Sequence, residues 1–355
     1  MNPEKRIIAF AQLGEVLRKF DTDYYMKTPR LVKALFKASA SNRWFTEEDI
    51  ILAISSLGEM LREEKFRKWI SEYNIPSAPL QRGKEKRVGV IMAGNIPLVG
   101  FHDFLCVLMS GNIFVGKLSS DDEFLLPAVS KILIEIESGF KERIHFTNQP
   151  FNKSSAISAF IATGSNNSAR YFEFYFGKYP HIIRKNRNAI AILDGTETED
   201  DLKNLGKDIF QYFGLGCRNV SKIFIPQDYN LDKFFSAIVD FGDVINHNKY
   251  SNNHIYYRTI YLLNKEKFLD NNFLMLKESE QIASPVATLY YERYKTKEEL
   301  FKKLEEQKEN IQCIVSNYAI PSPLEKIRVR CGATQSPELW DYADGVDTME
   351  FLLSL

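Results

Sequence analysis

The chain has 355 residues, room for about two domains at roughly 100–200 residues each. Hydrophobic residues make up 45% and charged residues 26%, too apolar a mixture for a disordered chain. Lys+Arg and Asp+Glu both count 46, so no surplus of charge argues for nucleic acid or an anionic membrane as partner.

The N-terminus carries Glu4, Lys5 and Arg6 with no long apolar run behind them, unlike a secretory signal. No stretch of ~18 apolar residues stands anywhere to span a membrane. The spacing of Ile7, Phe10, Leu13, Leu17 and Phe20 predicts a first helix, and Thr46 with Asp49 marks the start of another over Ile50–Met60. After a polar stretch from Ser77 to Arg87 the rhythm changes. Val88–Ala93 reads as a buried parallel strand, Pro97–Ser110 as a helix, Ile113–Lys117 as a strand and Phe124–Ser138 as a helix. Ala159–Thr163 reads as a further strand ahead of the aromatic helix Ala169–Phe176, whose rings are expected in the core. Ala189–Leu193 is the next strand. Thr196 and Glu199 have capping-box spacing before a helix lined by Leu202, Leu205, Ile209 and Phe213. Strand Lys222–Ile225, strand Pro285–Tyr291, helix Lys297–Lys308, strand Gln312–Val315 and a tail from Cys331 complete the chain. This alternation predicts an α/β protein with a doubly wound sheet and a smaller second α/β domain. The expected division is 1–185, 186–335 and a tail, 336–355.

Cys106, Cys217, Cys313 and Cys331 form no CxxC pair, and reduced thiols in the cytoplasm are expected. Cys217 stands apart because it follows Gly214-Leu215-Gly216, between a helix and a strand. Glycines allow close approach to a ligand, and Arg218 beside the thiol favours the thiolate. The alternative is a small buried hydrophobe, the common state of free cysteine. Asn95 has two readings, a functional side chain at a strand end or the cap of the next helix. Lys117 is either a ligand contact or a solvated strand-end lysine. Gly164-Ser165 is either a bare helix start, the commoner case, or the opening of a helix whose free N–H groups hold a phosphate. The five histidines have no metal-like spacing, so no metal is expected.

Taken in order from Val88 onward, these segments resemble the aldehyde dehydrogenase superfamily, and within it the acyl-CoA reductase branch that includes the fatty acid reductase of bacterial bioluminescence. Ala93-Gly-Asn95-Ile-Pro97 is similar to the strand-end motif whose Asn joins the oxyanion hole. Gly111–Ser119 resembles the strand whose Lys, here Lys117, holds the adenosine ribose. Thr163-Gly164-Ser165 resembles the turn beside the pyrophosphate, and Gly216-Cys217 the segment of the catalytic cysteine. Gln281–Val286 resembles the Glu-x-x-Gly-Pro-Val stretch near the nicotinamide ribose, with Gln281 in place of the Glu. Gly332–Gly345 is similar to a stretch of acyl-CoA reductases and has no mechanistic reading from sequence.

The resemblance implies an aldehyde dehydrogenase-like fold, an acyl-CoA substrate, Cys217 and Asn95 as catalytic residues, and the reaction in a cleft between two domains. It implies cofactor contacts at Lys117, Ser120, Gly164, Ser165 and Gln281. Ser120 stands where NAD-selective members carry a Glu, so NADPH is expected, with NADH also accepted; Asp121 and Asp122 are expected to cap the following helix. Hydrolytic members carry a general-base Glu where this chain reads Ile183-Arg184-Lys185-Asn186-Arg187-Asn188. That departure favours thioester chemistry, and the basic residues are expected on a solvated loop. A homo-oligomer or a partner enzyme of a fatty-acyl pathway is compatible with the resemblance. So are a non-catalytic relative that kept the fold and ordinary aldehyde oxidation.

Overall fold

Ile7, Phe10, Leu13, Leu17 and Phe20 are all buried, along one face of α1 (Pro3–Lys27), as their spacing requires. The computed structural model describes residues 1–75, 84–151 and 155–355; most of the polar stretch from Ser77, up to residue 83, lies outside them. Helices α2 (Pro29–Ser41), α3 (Glu47–Met60) and α4 (Glu63–Ser71) complete a helical N-terminal layer, with Thr46 Oγ1 capping α3 by accepting the Asp49 amide at 3.1 Å.

The first sheet follows. Its strands are β1 (Arg87–Ile91), β2 (Ile113–Lys117), β3 (Ile144–Thr147), β4 (Ala159–Thr163) and β5 (His181–Arg184), all parallel, in the order β3-β2-β1-β4-β5. Helices α5 (Phe101–Met109), α6 (Leu125–Ile136) and α7 (Asn166–Phe176) connect them. The helix expected from Pro97 starts four residues later, because Leu98 takes a left-handed backbone, φ 59°. β5 takes in Ile183 and Arg184, the first two residues of the segment expected to be a loop. With the N-terminal helices and Pro337–Leu355, this sheet forms one compact unit, Met1–Lys185 plus Pro337–Leu355.

The second unit, Asn186–Ser336, is built on a seven-stranded sheet. Its elements are β6 (Asn188–Ile192), α8 (Glu199–Phe210), β7 (Val220–Pro226), α9 (Leu231–Ala237), α10 (Asn248–Leu263), β8 (Leu269–Asp270), β9 (Met275–Glu278), β10 (Thr288–Tyr294), α11 (Lys297–Glu306), β11 (Ile311–Val315) and β12 (Arg328–Val329). The order is β12-β11-β6-β7-β10-β9-β8, parallel except for the β8–β9 edge pair. The capping box of α8 is formed by Thr198 and Asp201, two residues beyond the expected Thr196 and Glu199. Glu197 is engaged instead in accepting the amides of Asp194 and Gly195 at 2.6 and 3.1 Å. Among the described residues no helix is long and apolar enough to cross a membrane.

Candidate active site

In the second unit, α8 runs out at Phe210 and the chain enters a tight turn of unusual backbone. Tyr212 (φ 52°), Phe213 (φ 57°) and Gly214 (φ 76°) are successively left-handed, and only one of them is glycine. Phe213 is therefore outside the helix whose face it was expected to extend. Left-handed non-glycine residues cost about 1–2 kcal/mol each, so neighbouring contacts must hold the turn. Asn219, buried at the start of β7, supplies them. Its Nδ2 donates to the carbonyls of Asp208 (3.0 Å) and Gln211 (2.9 Å), and its Oδ1 accepts the Gly216 amide (2.8 Å).

A second clasp closes from the segment around Gly332, the stretch without a mechanistic reading from sequence. The buried Asp208 carboxylate accepts the amides of Gly332 (2.6 Å) and Thr334 (3.0 Å) and the Thr334 hydroxyl (2.8 Å). The Thr334 carbonyl in turn accepts Arg218 Nε at 2.5 Å. Hydrogen bonds thus link Arg218 to Thr334, Thr334 to Asp208 and Asp208 to Asn219 around the turn that carries Cys217, and the peptide bond between Arg218 and Asn219 completes the circuit. Arg218 is engaged there through Nε.

Cys217 itself is exposed, not the small buried hydrophobe of the alternative reading. Cys106 and Cys313 are buried. Burial raises the Cys106 thiol well above its ordinary range, and burial followed by the nearby acids Asp208, Asp201 and Glu197 pushes Cys331 up to about 12. Of the four thiols, Cys217 is the exposed one.

Gln281 is also exposed, on the crossover between β9 and β10. Because those strands are parallel, the chain must return over the sheet from the end of β9 to the start of β10.

In the first unit the strand order reverses at β1, with β2 on one side and β4 on the other, which makes the carboxyl ends of β1 and β4 the place where open α/β sheets bind ligands. Five expected site residues lie along this edge. Lys117 is level with Ile91 at the end of β1, and Ile91 is level with Ala162 of β4. Asn95 follows β1 and is exposed; Gly164 and Ser165 follow β4; Ser120 follows β2 and is exposed. Asn95 does not cap α5, whose N-cap is Gly100. Ser165 caps α7, its Oγ accepting the Ser168 amide at 3.2 Å. The turns after β1 and β2 touch closely, since a Cβ on Gly94 would meet Ser119 Oγ at 2.5 Å.

Asp122 serves the start of α6 as expected, accepting the amide of Leu125, the helix's first residue, but it is also buried, and its Oδ2 accepts the amide of the left-handed Leu98 at 2.8 Å. Burial raises its carboxyl to about 6, against the opposing bonds from the Leu98 and Leu125 amides. The basic stretch is a solvated loop only in part: Lys185 and Asn186 are exposed between β5 and β6, whereas Arg184 lies within β5. Arg184 is buried, donating to Asp103 at 2.6 Å and to Thr348 Oγ1 at 2.9 Å. Lys185 pairs with Glu173, and Arg187 with Glu309. On α7, Tyr171, Phe174 and Tyr175 are exposed, contrary to the expected core packing, while Phe176 stacks on Phe160 of β4 at 4.0 Å between centroids.

The architecture has clear counterparts among solved structures. An aldehyde dehydrogenase from Bacillus cereus in complex with NAD+ superposes with a TM-score of 0.60 over 89% of this chain and 72% of that one, at 13% identity. The chain has the aldehyde dehydrogenase fold. Aldehyde dehydrogenase 21 from Physcomitrella patens, solved with the reaction product succinate, matches at 0.62, with 14% identity over 90% of this chain and 74% of that one. An aldehyde dehydrogenase from Mycobacterium tuberculosis complexed with NAD+ matches at 0.58, with 14% identity over 85% and 71%. No family profile and no curated protein sequence matches the chain. Within this aldehyde dehydrogenase fold, the cysteine turn belongs to the unit with the larger sheet, and the ribose and phosphate candidates belong to the unit with the five-stranded one.

Proposed function

We propose that the protein reduces an acyl-CoA thioester to the aldehyde, with a reduced nicotinamide cofactor and Cys217 as covalent nucleophile. The carrying observation is Cys217 itself, an exposed thiol on a strained turn fastened by two clasps, in a fold shared with aldehyde dehydrogenases. The residues of the first sheet edge suit a dinucleotide. Amides of the first turn of α7 offer donors to a pyrophosphate, Lys117 offers a cation and Ser120 a hydroxyl. The absence of a carboxylate from Ile183–Asn188 favours acyl transfer to or from coenzyme A over hydrolysis, since water attack needs a base and thioester exchange does not.

The chemistry assigned to the chain runs through one sulfur. Cys217 Sγ, as thiolate, bonds to the thioester carbonyl carbon; the carbon–sulfur bond to coenzyme A breaks, and the coenzyme A thiolate leaves and takes up a proton. The backbone N–H of Cys217 and the Asn95 amide are assigned as oxyanion donors. A bound reduced nicotinamide supplies the hydride. The bond from the former carbonyl carbon to Cys217 Sγ then breaks, releasing aldehyde and restoring the thiolate.

NADPH is the proposed cofactor, with NADH also accepted. Ser120 carries no charge to repel a 2′-phosphate, and Asp122 is turned inward to Leu98. The test is a panel of acyl-CoA thioesters of rising chain length with each cofactor, followed at the nicotinamide absorbance with the products identified. Aldehyde from acyl-CoA is the expected result. Acid from aldehyde would replace this reading with ordinary oxidation, and no turnover in either direction would leave a binding protein.

A further inference from the structure

Lys222 is a lysine with its side chain wholly buried, 0% exposed, in β7, five residues beyond Cys217. Lysine is almost never buried to this degree without a partner, because the ammonium loses its hydration. Two groups receive it. Glu292 Oε2 of β10 lies 2.6 Å from Nζ, and the carbonyl oxygen of Glu280 accepts from Nζ at 3.0 Å. The other Glu292 oxygen pairs with Lys303 of α11 at 2.5 Å. Desolvation lowers the Lys222 pKa, with Glu292 opposing. The preceding residue does a related job, since Ser221 Oγ donates to the Ile282 carbonyl at 2.8 Å. Two successive side chains of β7 therefore grip the β9–β10 crossover by its backbone, on either side of Gln281. The grip uses carbonyl oxygens, so it fixes the path of the crossover whatever side chains it carries.

We infer that Lys222 is a positioning residue that, with Ser221, sets the Gln281 crossover against the start of β7 so that Gln281 can meet the nicotinamide ribose. This rests on the cofactor reading under Proposed function. The cysteine turn and the crossover are then registered to one strand, Cys217 just before it and Gln281 through the side chains of its second and third residues.

The test uses the full-length chain with Lys222→Met, Ser221→Ala and, as control, Glu280→Ala. Three quantities are read: amide hydrogen exchange over residues 279–283, NAD(P)H affinity by nicotinamide fluorescence, and acylation of Cys217 by acyl-CoA without cofactor. Lys222→Met should speed exchange over 279–283 and weaken NAD(P)H binding about ten- to a hundredfold, the scale of a misplaced contact. Acylation should stay near wild type. Ser221→Ala, which strands no buried charge and covers the case in which Lys222→Met does not fold, should show a smaller change of the same kind. Glu280→Ala should be silent, because its carbonyl remains. Unchanged exchange in Ser221→Ala and Lys222→Met, or faster exchange with unchanged cofactor affinity, overturns the inference. So does a wild-type chain that binds no NAD(P)H. A wild-type chain that binds NAD(P)H but neither acylates Cys217 nor forms aldehyde overturns the proposed reaction alone, and the affinity comparison still decides the role of Lys222.

Discussion

At the scale of single residues, two side chains carry separable predictions. Cys217→Ala should abolish both the acyl-enzyme and aldehyde formation. Mass spectrometry after incubation with acyl-CoA should place the acyl group on Cys217 in the wild type; an acyl group on Cys331 would sink the assignment, and its thiol, pushed up to about 12, makes a poor thiolate at neutral pH. Asp122 makes a prediction about pH. Its carboxyl is raised from an ordinary 3.8 to about 6, so between these values the folded protein holds a proton that the unfolded chain releases. Its contribution to stability is thus fully present below pH ~4 and lost as pH rises through 6, an effect on the order of 2–3 kcal/mol. Asp122→Asn cannot titrate. Urea midpoints of wild type and variant, compared from pH 4 to 7.5, should show the wild type losing ground to the variant as pH rises. A difference that stays constant with pH would mean that Asp122 ionises normally in the fold.

At the scale of elements, the cysteine turn is the part most open to a focused test. Asn219 satisfies one amide and two carbonyls around three left-handed residues. Asn219→Ala should cost about 2–4 kcal/mol, since groups in a largely buried pocket lose their partners. Cys217 stays exposed in that variant, so labelling by iodoacetamide should change little, while acylation by acyl-CoA, which needs an aligned sulfur, should fall about ten- to a hundredfold. Equal losses in both rates would point to a changed thiol rather than a changed turn. The same region shows what the sequence can and cannot reveal. Strands such as Ile113–Lys117 and Ala159–Thr163 were legible to the residue, because an apolar run between turn residues has few alternatives. So was the core face of α1. The left-handed Tyr212 and Phe213 were not, since nothing in their own residue types favours that backbone and the hydrogen bonds of the Asn219 carboxamide hold it. The start of α5 was missed for a similar reason, with Asp122 holding Leu98 from 24 residues away. β5 was hidden because Arg184, charged in sequence, is buried against Asp103 and Thr348. The candidate site residues stand at strand ends and turns, positions that turn residues mark in a sequence; the hydrogen bonds of Asp208, Thr334, Asn219 and Lys222 around them carry no signal short of the fold.

At the scale of the whole molecule, the chain returns at its end to the unit where it began. Pro337–Leu355 belongs to the first unit and buries Leu339, Met349 and Leu352 in its core. A polar relay accompanies them. Trp69 Nε1 donates to the Tyr342 hydroxyl at 2.8 Å, and Tyr73 gives its proton to Asp347 Oδ2 at 2.7 Å. The 2.6 Å contact between the two tyrosine hydroxyls then requires Tyr342 to be the donor to Tyr73. His102 Nε2 donates to the Leu339 carbonyl at 2.9 Å, Asn112 to the Leu352 carbonyl at 3.1 Å, and Arg184 reaches Thr348. The segment expected from sequence to be a tail is thus part of a core. Three buried side chains at roughly 1.5–3 kcal/mol each amount to about 4.5–9 kcal/mol, and the whole margin of a folded domain is about 5–15 kcal/mol. Deleting residues 337–355 should therefore unfold the first unit, not merely trim it. Tyr342→Phe, which removes one donor and one acceptor from the relay and keeps the ring, should cost about 1–3 kcal/mol and leave the unit folded. Hydrogen exchange resolves the two cases. The deletion should abolish protection in α4, α5 and β1, whereas Tyr342→Phe should lower it evenly across them, and neither variant should touch the slow amides of β6 and β7, which make none of these contacts. Full protection of α5 in the deleted chain would show that the first sheet holds without its C-terminal segment, and that the segment serves something other than the core it fills.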